Sequence, residues 1–130
     1  MREVKSFIEK RDGVNVGENN IFLTNGATEG ITFMLNLFIK DENNNIMIPI
    51  LQYPIYSALI TKFDETQVPY YLDESKGWGM SFEELERSYA EVTDKGINVR
   101  SMVVINLSNP TEQILAQEDL NKVIQFTHGK

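Results

Sequence analysis

Apolar and polar positions change period several times along the chain, and each change marks an element. From Arg2 to Arg11 charged residues alternate with Val4, Phe7 and Ile8 at helical spacing, and Asp12-Gly13 closes the run, which predicts a short helix. Ile21-Phe22-Leu23 is a brief apolar run read as a strand, ending at Asn25-Gly26. Ile31, Met34, Leu35 and Phe38 then recur at i, i+3, i+4 and i+7, predicting a helix up to Asp41. Asn43-Asn44-Asn45 breaks that pattern, and Ile46 to Ile50 follows as a run of the kind buried on both faces in parallel sheets.

A helix is expected from Pro54, which suits a first turn, to Phe63. Thr66 to Leu72 reads as another strand, and Pro69 within it points to an edge or a bulge. The loop Asp73 to Met80 carries Gly77-Trp78-Gly79. Ser81 with Glu84 forms a capping box for a helix to about Lys95, with Gly96 as its stop. Ser101 to Asn106 predicts a last strand, Leu107 to Gln113 a polar turn, and Gln117 to Phe126 a last helix.

Strands alternating with helices argue for an α/β fold with a mostly parallel sheet and right-handed crossovers. In open sheets of that kind ligands bind outside the carboxyl ends of the strands, so chemistry is expected there.

Composition narrows the partners. A chain of 130 residues with 42% hydrophobic and 24% charged residues has the make-up of one globular domain. Its net charge of −7 repels phosphate backbones and anionic lipid surfaces, so neither nucleic acid nor membrane is an expected partner. With no Cys and one His, disulfide scaffolds, Cys-based zinc sites and thiol catalysis are excluded. Met1 leads into Arg2, Glu3 and Lys5 without an apolar segment, and no run approaches the roughly 20 residues of a membrane span. A soluble protein of the cytoplasm is the expectation.

Three places at strand ends carry candidate chemistry. Thr24-Asn25-Gly26-Ala27-Thr28 opens directly into a helix, where unpaired N–H groups and the positive end of the helix dipole favour an anion. Gly26, Ala27 and Thr28 read either as a phosphate site or as a tight turn capped by Thr28. Neither the P-loop spacing nor the dinucleotide glycine fingerprint is present. After the second strand, Tyr53 or Tyr56 either stacks on a planar ring or caps the core with its hydroxyl wet. After the last strand, Asn106 and Asn109 beside Pro110 either donate amides into the crevice or form an Asx or Pro turn. Together they offer an anion cradle, an aromatic plate and a fixed donor, which suits a flat phosphorylated aromatic cofactor.

The blocks Phe22-Leu23-Thr24-Asn25-Gly26-Ala27-Thr28-Glu29-Gly30-Ile31, Gln52-Tyr53-Pro54-Ile55-Tyr56-Ser57-Ala58, Tyr70-Tyr71-Leu72-Asp73-Glu74 with Gly77-Trp78-Gly79, and Asn109-Pro110-Thr111 resemble, in order, segments of the alanine aminotransferases. These belong to the class I/II, fold type I aminotransferases, which use pyridoxal 5′-phosphate. The resemblance implies that Ala27 and Thr28 bind the cofactor phosphate beside Gly26, that Tyr53 stacks on the pyridine ring, and that Asn109 bonds the ring's phenolic oxygen. It implies as substrates an amino acid and a 2-oxo acid, L-alanine and 2-oxoglutarate, and a homodimer for the complete protein.

Two departures matter. Glu112 follows Thr111 where the family usually has Gly, and Leu107-Ser108 stands where Pro-Gly is usual. If position 112 needs a positive φ, Glu strains the turn by about 1–2 kcal/mol. Further, the family places its cofactor-anchoring Lys, the acid facing the pyridinium nitrogen and the carboxylate-binding Arg beyond the position of Lys130, so residues 1–130 are expected to be part of the large domain and inactive alone. Lys76 and Asp73 match no catalytic position, and Arg100 is expected at the amino end of the sheet. A second reading is a truncated non-catalytic homologue that acts by association with another subunit, or as a module binding pyridoxal phosphate or phosphate. His128 reads as a surface residue at a helix end, and the sequon Asn106-Leu107-Ser108 as a strand-end turn.

Overall fold

A computed structural model describes residues 1–39 and 44–130. These residues form two compact units, Met1–Gly30 and Ile31–Lys130. The expected helix end at Asp41 and the start of the break at Asn43 lie outside the described residues.

In the first unit, α1 (Arg2–Asp12) ends as the sequence predicts, with Gly13 left-handed at φ 69° and its N–H bonded to the Glu9 carbonyl. The expected strand Ile21–Leu23 does not form. Ile21 is buried, but Phe22 and Leu23 are exposed and the segment pairs with no strand among the described residues. A short apolar run without a ladder partner has nothing to satisfy its backbone groups as a strand. The unit closes with the Thr24–Gly30 turn, where α2 (Ala27–Phe38) begins.

The second unit holds a parallel three-stranded sheet in the order β2-β1-β3, with β1 Asn45–Ile50, β2 Gln67–Tyr71 and β3 Val99–Met102. Around it lie the rest of α2, α3 (Ile55–Lys62), α4 (Phe82–Thr93) and α5 (Gln117–His128). β1 is central and buried on both faces, as its unbroken apolar run requires. Met47 packs on one face with Val68, Tyr70, Leu85, Val92, Leu115 and Phe126. Ile46 and Ile48 pack on the other with Leu35, Leu59 and Ile60. Helices therefore cover both faces.

Pro69 lies on the edge strand β2, as expected, and α4 satisfies the outward groups of that edge. The Ser88 hydroxyl donates to the Pro69 carbonyl at 2.8 Å, and the Tyr71 N–H donates to the Glu84 carboxylate at 3.0 Å. The capping box at Ser81 is thus only half made. Ser81 accepts from the Glu84 N–H at 3.3 Å, while the Glu84 carboxylate turns to Tyr71 and Arg87.

The last strand stops at Met102 and not at Asn106. The Val103 N–H still bonds the Met47 carbonyl at 2.8 Å. In a parallel ladder the Val103 carbonyl would next take the N–H of residue 49, and Pro49 has none. The ladder ends where its donor is missing.

Candidate functional site

The carboxyl edge of the sheet in the second unit carries Tyr53 after β1 and the Ser108–Gln113 turn after β3. Tyr53 is 48% exposed, whereas Tyr56, three positions on, packs against Leu59 and Ile60's cluster and burial pushes its phenol above the ordinary value. The two tyrosines therefore divide the roles left open by the sequence: Tyr56 caps the core, and Tyr53 offers a ring to solvent.

The turn is tightly closed, since Ser108 N–H donates to the Gln113 carbonyl at 2.9 Å and Glu112 N–H to the Ser108 carbonyl at 2.7 Å. Asn106 is a structural member of it, because its Oδ1 accepts from the Leu115 N–H at 3.1 Å. Asn109 differs: its amide is exposed and makes no hydrogen bond among the described residues. Glu112 adopts φ +56°, the left-handed conformation that Gly takes without strain and Glu does not.

Two polar atoms at this edge escaped the sequence reading. Gln52 Oε1 and Thr111 Oγ1 are buried and have no hydrogen-bond partner among the described residues. Each directly adjoins or lies two residues from a predicted ligand position, and that adjacency to Tyr53 and Asn109 was the available signal. Buried polar atoms without partners are uncommon and mark places where a ligand or water completes the bonding.

In the first unit, Gly26 sits at φ +87°, and nothing lies within 4 Å of where a Cβ would stand. The Thr24 hydroxyl donates to the Gly26 carbonyl at 3.0 Å, and the Glu29 carboxylate accepts from the Asn25 N–H. Ala27 and Thr28 are exposed in the first turn of α2, where N–H groups point outward.

Residues set aside by the sequence reading stay apart from this chemistry. Lys76 pairs with Asp73 at 3.4 Å on an exposed loop, and Ser75 is the first cause holding the Asp73 carboxyl below its usual range. Arg100 lies within β3, near its amino end and exposed, and not before it. His128 is exposed at the end of α5. Among the described residues no cluster of metal-ligating side chains occurs, and no helix is long and apolar enough to cross a membrane.

The description "aminotransferase class I and II" matches residues 2–130 of the chain. The chain belongs to that aminotransferase family. It is similar to a probable mitochondrial alanine aminotransferase of Dictyostelium discoideum, with 44% identity over 97% of this chain and 24% of the relative. It is also similar to glutamate–glyoxylate aminotransferase 1 of Arabidopsis thaliana, with 42% identity over 99% of this chain and 27% of that protein. Among solved structures, an alanine aminotransferase from Pyrococcus furiosus superposes with a TM-score of 0.86 at 20% identity, covering 98% of this chain and 31% of that one. The chain therefore has the aminotransferase fold over a span that is about a quarter of the length of these curated relatives.

Proposed function

We propose that these residues are part of the cofactor-binding large domain of a pyridoxal-phosphate-dependent transaminase that moves an amino group between L-alanine and 2-oxoglutarate. The observation that carries the reading is the 44% identity to the probable alanine aminotransferase of Dictyostelium across 97% of the chain.

What supports the reading is the chemistry that each group offers by itself. Gly26 leaves the main chain open to a phosphate, and Ala27 and Thr28 bring first-turn N–H groups to it. Tyr53 offers an exposed ring, Asn109 an unpartnered amide, and Gln52 and Thr111 buried atoms awaiting partners. In this reading Ala27 and Thr28 hold the phosphate, Tyr53 stacks on the ring, and Asn109 donates to its phenolic oxygen. The chemistry such a cofactor supplies when bound is an electron sink for the carbanion left at the substrate α-carbon. Proton transfer and substrate-carboxylate binding fall to the Lys and Arg that the resemblance places beyond the position of Lys130.

A homodimer is proposed for the complete protein, and a reducing compartment such as the cytoplasm accords with the absence of Cys. Three of the similar relatives are named mitochondrial, so imaging a tagged protein distinguishes the two compartments. A second reading, a non-catalytic homologue acting by association, draws on exposed apolar residues of α2 such as Phe33 and Leu37, 56% and 62% exposed. A chimera tests both. With residues 2–130 replacing the matching segment of the Dictyostelium enzyme, the transaminase reading expects amino transfer from alanine to 2-oxoglutarate in preference to glyoxylate. A folded chimera without transfer contradicts it and favours the second.

A further inference from the structure

Trp78, the chain's only tryptophan, is held in a conformation its side chain disfavours, at φ +63°. A bulky residue in the left-handed region is a genuine outlier and persists only where its surroundings force it. Here the loop forces it. The Trp78 N–H donates to the Asp73 carbonyl at 2.8 Å and the Asp73 N–H to the Gly79 carbonyl at 2.9 Å, while Gly77 before it is also left-handed, at φ +65°. Loop Asp73–Gly79 is a ring tied at its neck, and its strained member is half-buried.

Trp78 borders the same gap as the turn that carries Asn109. Trp78 lines a cavity of about 10 Å³ together with Tyr70, Leu72, Ser108, Gln113 and Leu115. That space is at the lower limit for a single water, so Trp78 and the two ends of the turn border one narrow gap. Ser108 and Gln113 are the two ends of the closed turn, and Glu112 beside Gln113 is the other strained residue in this region, at φ +56°. A left-handed residue thus borders the gap on one side, and the turn on the other side contains a second. Such a turn, if left to itself, would relax.

We infer that Trp78 is a positioning residue that clamps the Ser108–Gln113 turn and so fixes the Asn109 amide for the cofactor ring. The inference rests on the proposed role of Asn109, but the clamp itself is independent of any ligand. Trp78 touches neither the phosphate nor the ring in this account.

Amide hydrogen exchange on the 130-residue chain tests the clamp. Trp78→Leu should speed exchange of the Ser108 and Glu112 amides about tenfold and leave the Val103 amide unchanged, with Trp78→Phe restoring most of the protection. Unchanged exchange at Ser108 and Glu112 in a folded Trp78→Leu chain overturns the inference, as does general acceleration in both variants. A second arm measures pyridoxal phosphate and inorganic phosphate binding in a double-mutant cycle with Asn109→Ala. The clamp predicts several-fold weaker pyridoxal phosphate binding in Trp78→Leu, unchanged phosphate binding, and no further loss when Asn109 is already removed. Additive losses contradict it. If the parent chain binds no pyridoxal phosphate, the cofactor reading of the chain fails, while the exchange result still decides the clamp.

Discussion

The Tyr70 hydroxyl, on edge strand β2, donates to the carbonyl of Val103 at 2.7 Å, reaching past the central strand to the residue where the β3 ladder ends. The bond replaces the one that Pro49 cannot donate, and Pro49 is itself the register partner of Tyr70. One side chain thereby closes the gap that a proline leaves in the middle of a parallel sheet. Tyr70 is 1% exposed, and burial pushes its phenol well above the ordinary value.

Tyr70→Phe leaves the Val103 carbonyl without its donor and should cost about 1–3 kcal/mol in urea unfolding, the price of an unsatisfied buried acceptor. Because the folded phenol is raised, its contribution to stability is complete below the ordinary value of 10 and is lost as pH climbs above it. Spectrophotometric titration should accordingly show one tyrosine that ionises only on alkaline unfolding. If all tyrosines titrate together near the ordinary value with the fold intact, Tyr70 is not held as described.

Glu84 couples helix α4 to the outer edge of β2. Its carboxyl lies below the usual range, first because Arg87 bonds it and further because the Tyr71 N–H does. Glu84→Gln should therefore destabilise the chain at neutral pH. The difference from the parent is fully present above the ordinary 4.5 and shrinks as pH falls through the depressed value. Denaturation midpoints of the two proteins measured from pH 7 down to pH 3 check this. A constant gap across that range would contradict a charge-dependent role.

Glu112 occupies a left-handed position, so Glu112→Gly should stabilise the chain by about 0.5–1 kcal/mol after the greater chain entropy of Gly is set against the relieved strain. Glu112→Ala removes the carboxylate and keeps the Cβ, and should bring no comparable gain. Equal stabilisation by both would trace the effect to charge and not to the backbone.

The sequence announced most of this fold through features with local causes. Gly13 and Gly96 stop their helices with φ values of 69° and 77°, and the uniform apolar run at Ile46–Ile50 became the central strand. The failures have non-local causes. Ile21–Leu23 has strand-like residues but no ladder partner, and β3 is shorter than its apolar run because Pro49, far away in sequence, removes its next donor. At the candidate site, Tyr53 and Asn109 are exposed, and the positive φ that the sequence raised for Glu112 is present at +56°. The buried orphan atoms of Gln52 and Thr111, and the gap that Trp78 shares with the Asn109 turn, depend on how separate segments come together and had no pattern of their own.

The most direct measurement is a titration of the 130-residue chain with pyridoxal 5′-phosphate, followed by quenching of Trp78 fluorescence and by the melting temperature. The account predicts saturable binding that raises the melting temperature with ligand concentration and weakens several-fold to about tenfold in Tyr53→Ala and in Asn109→Ala. Binding that fails to saturate, or saturable binding that neither substitution alters, would contradict it.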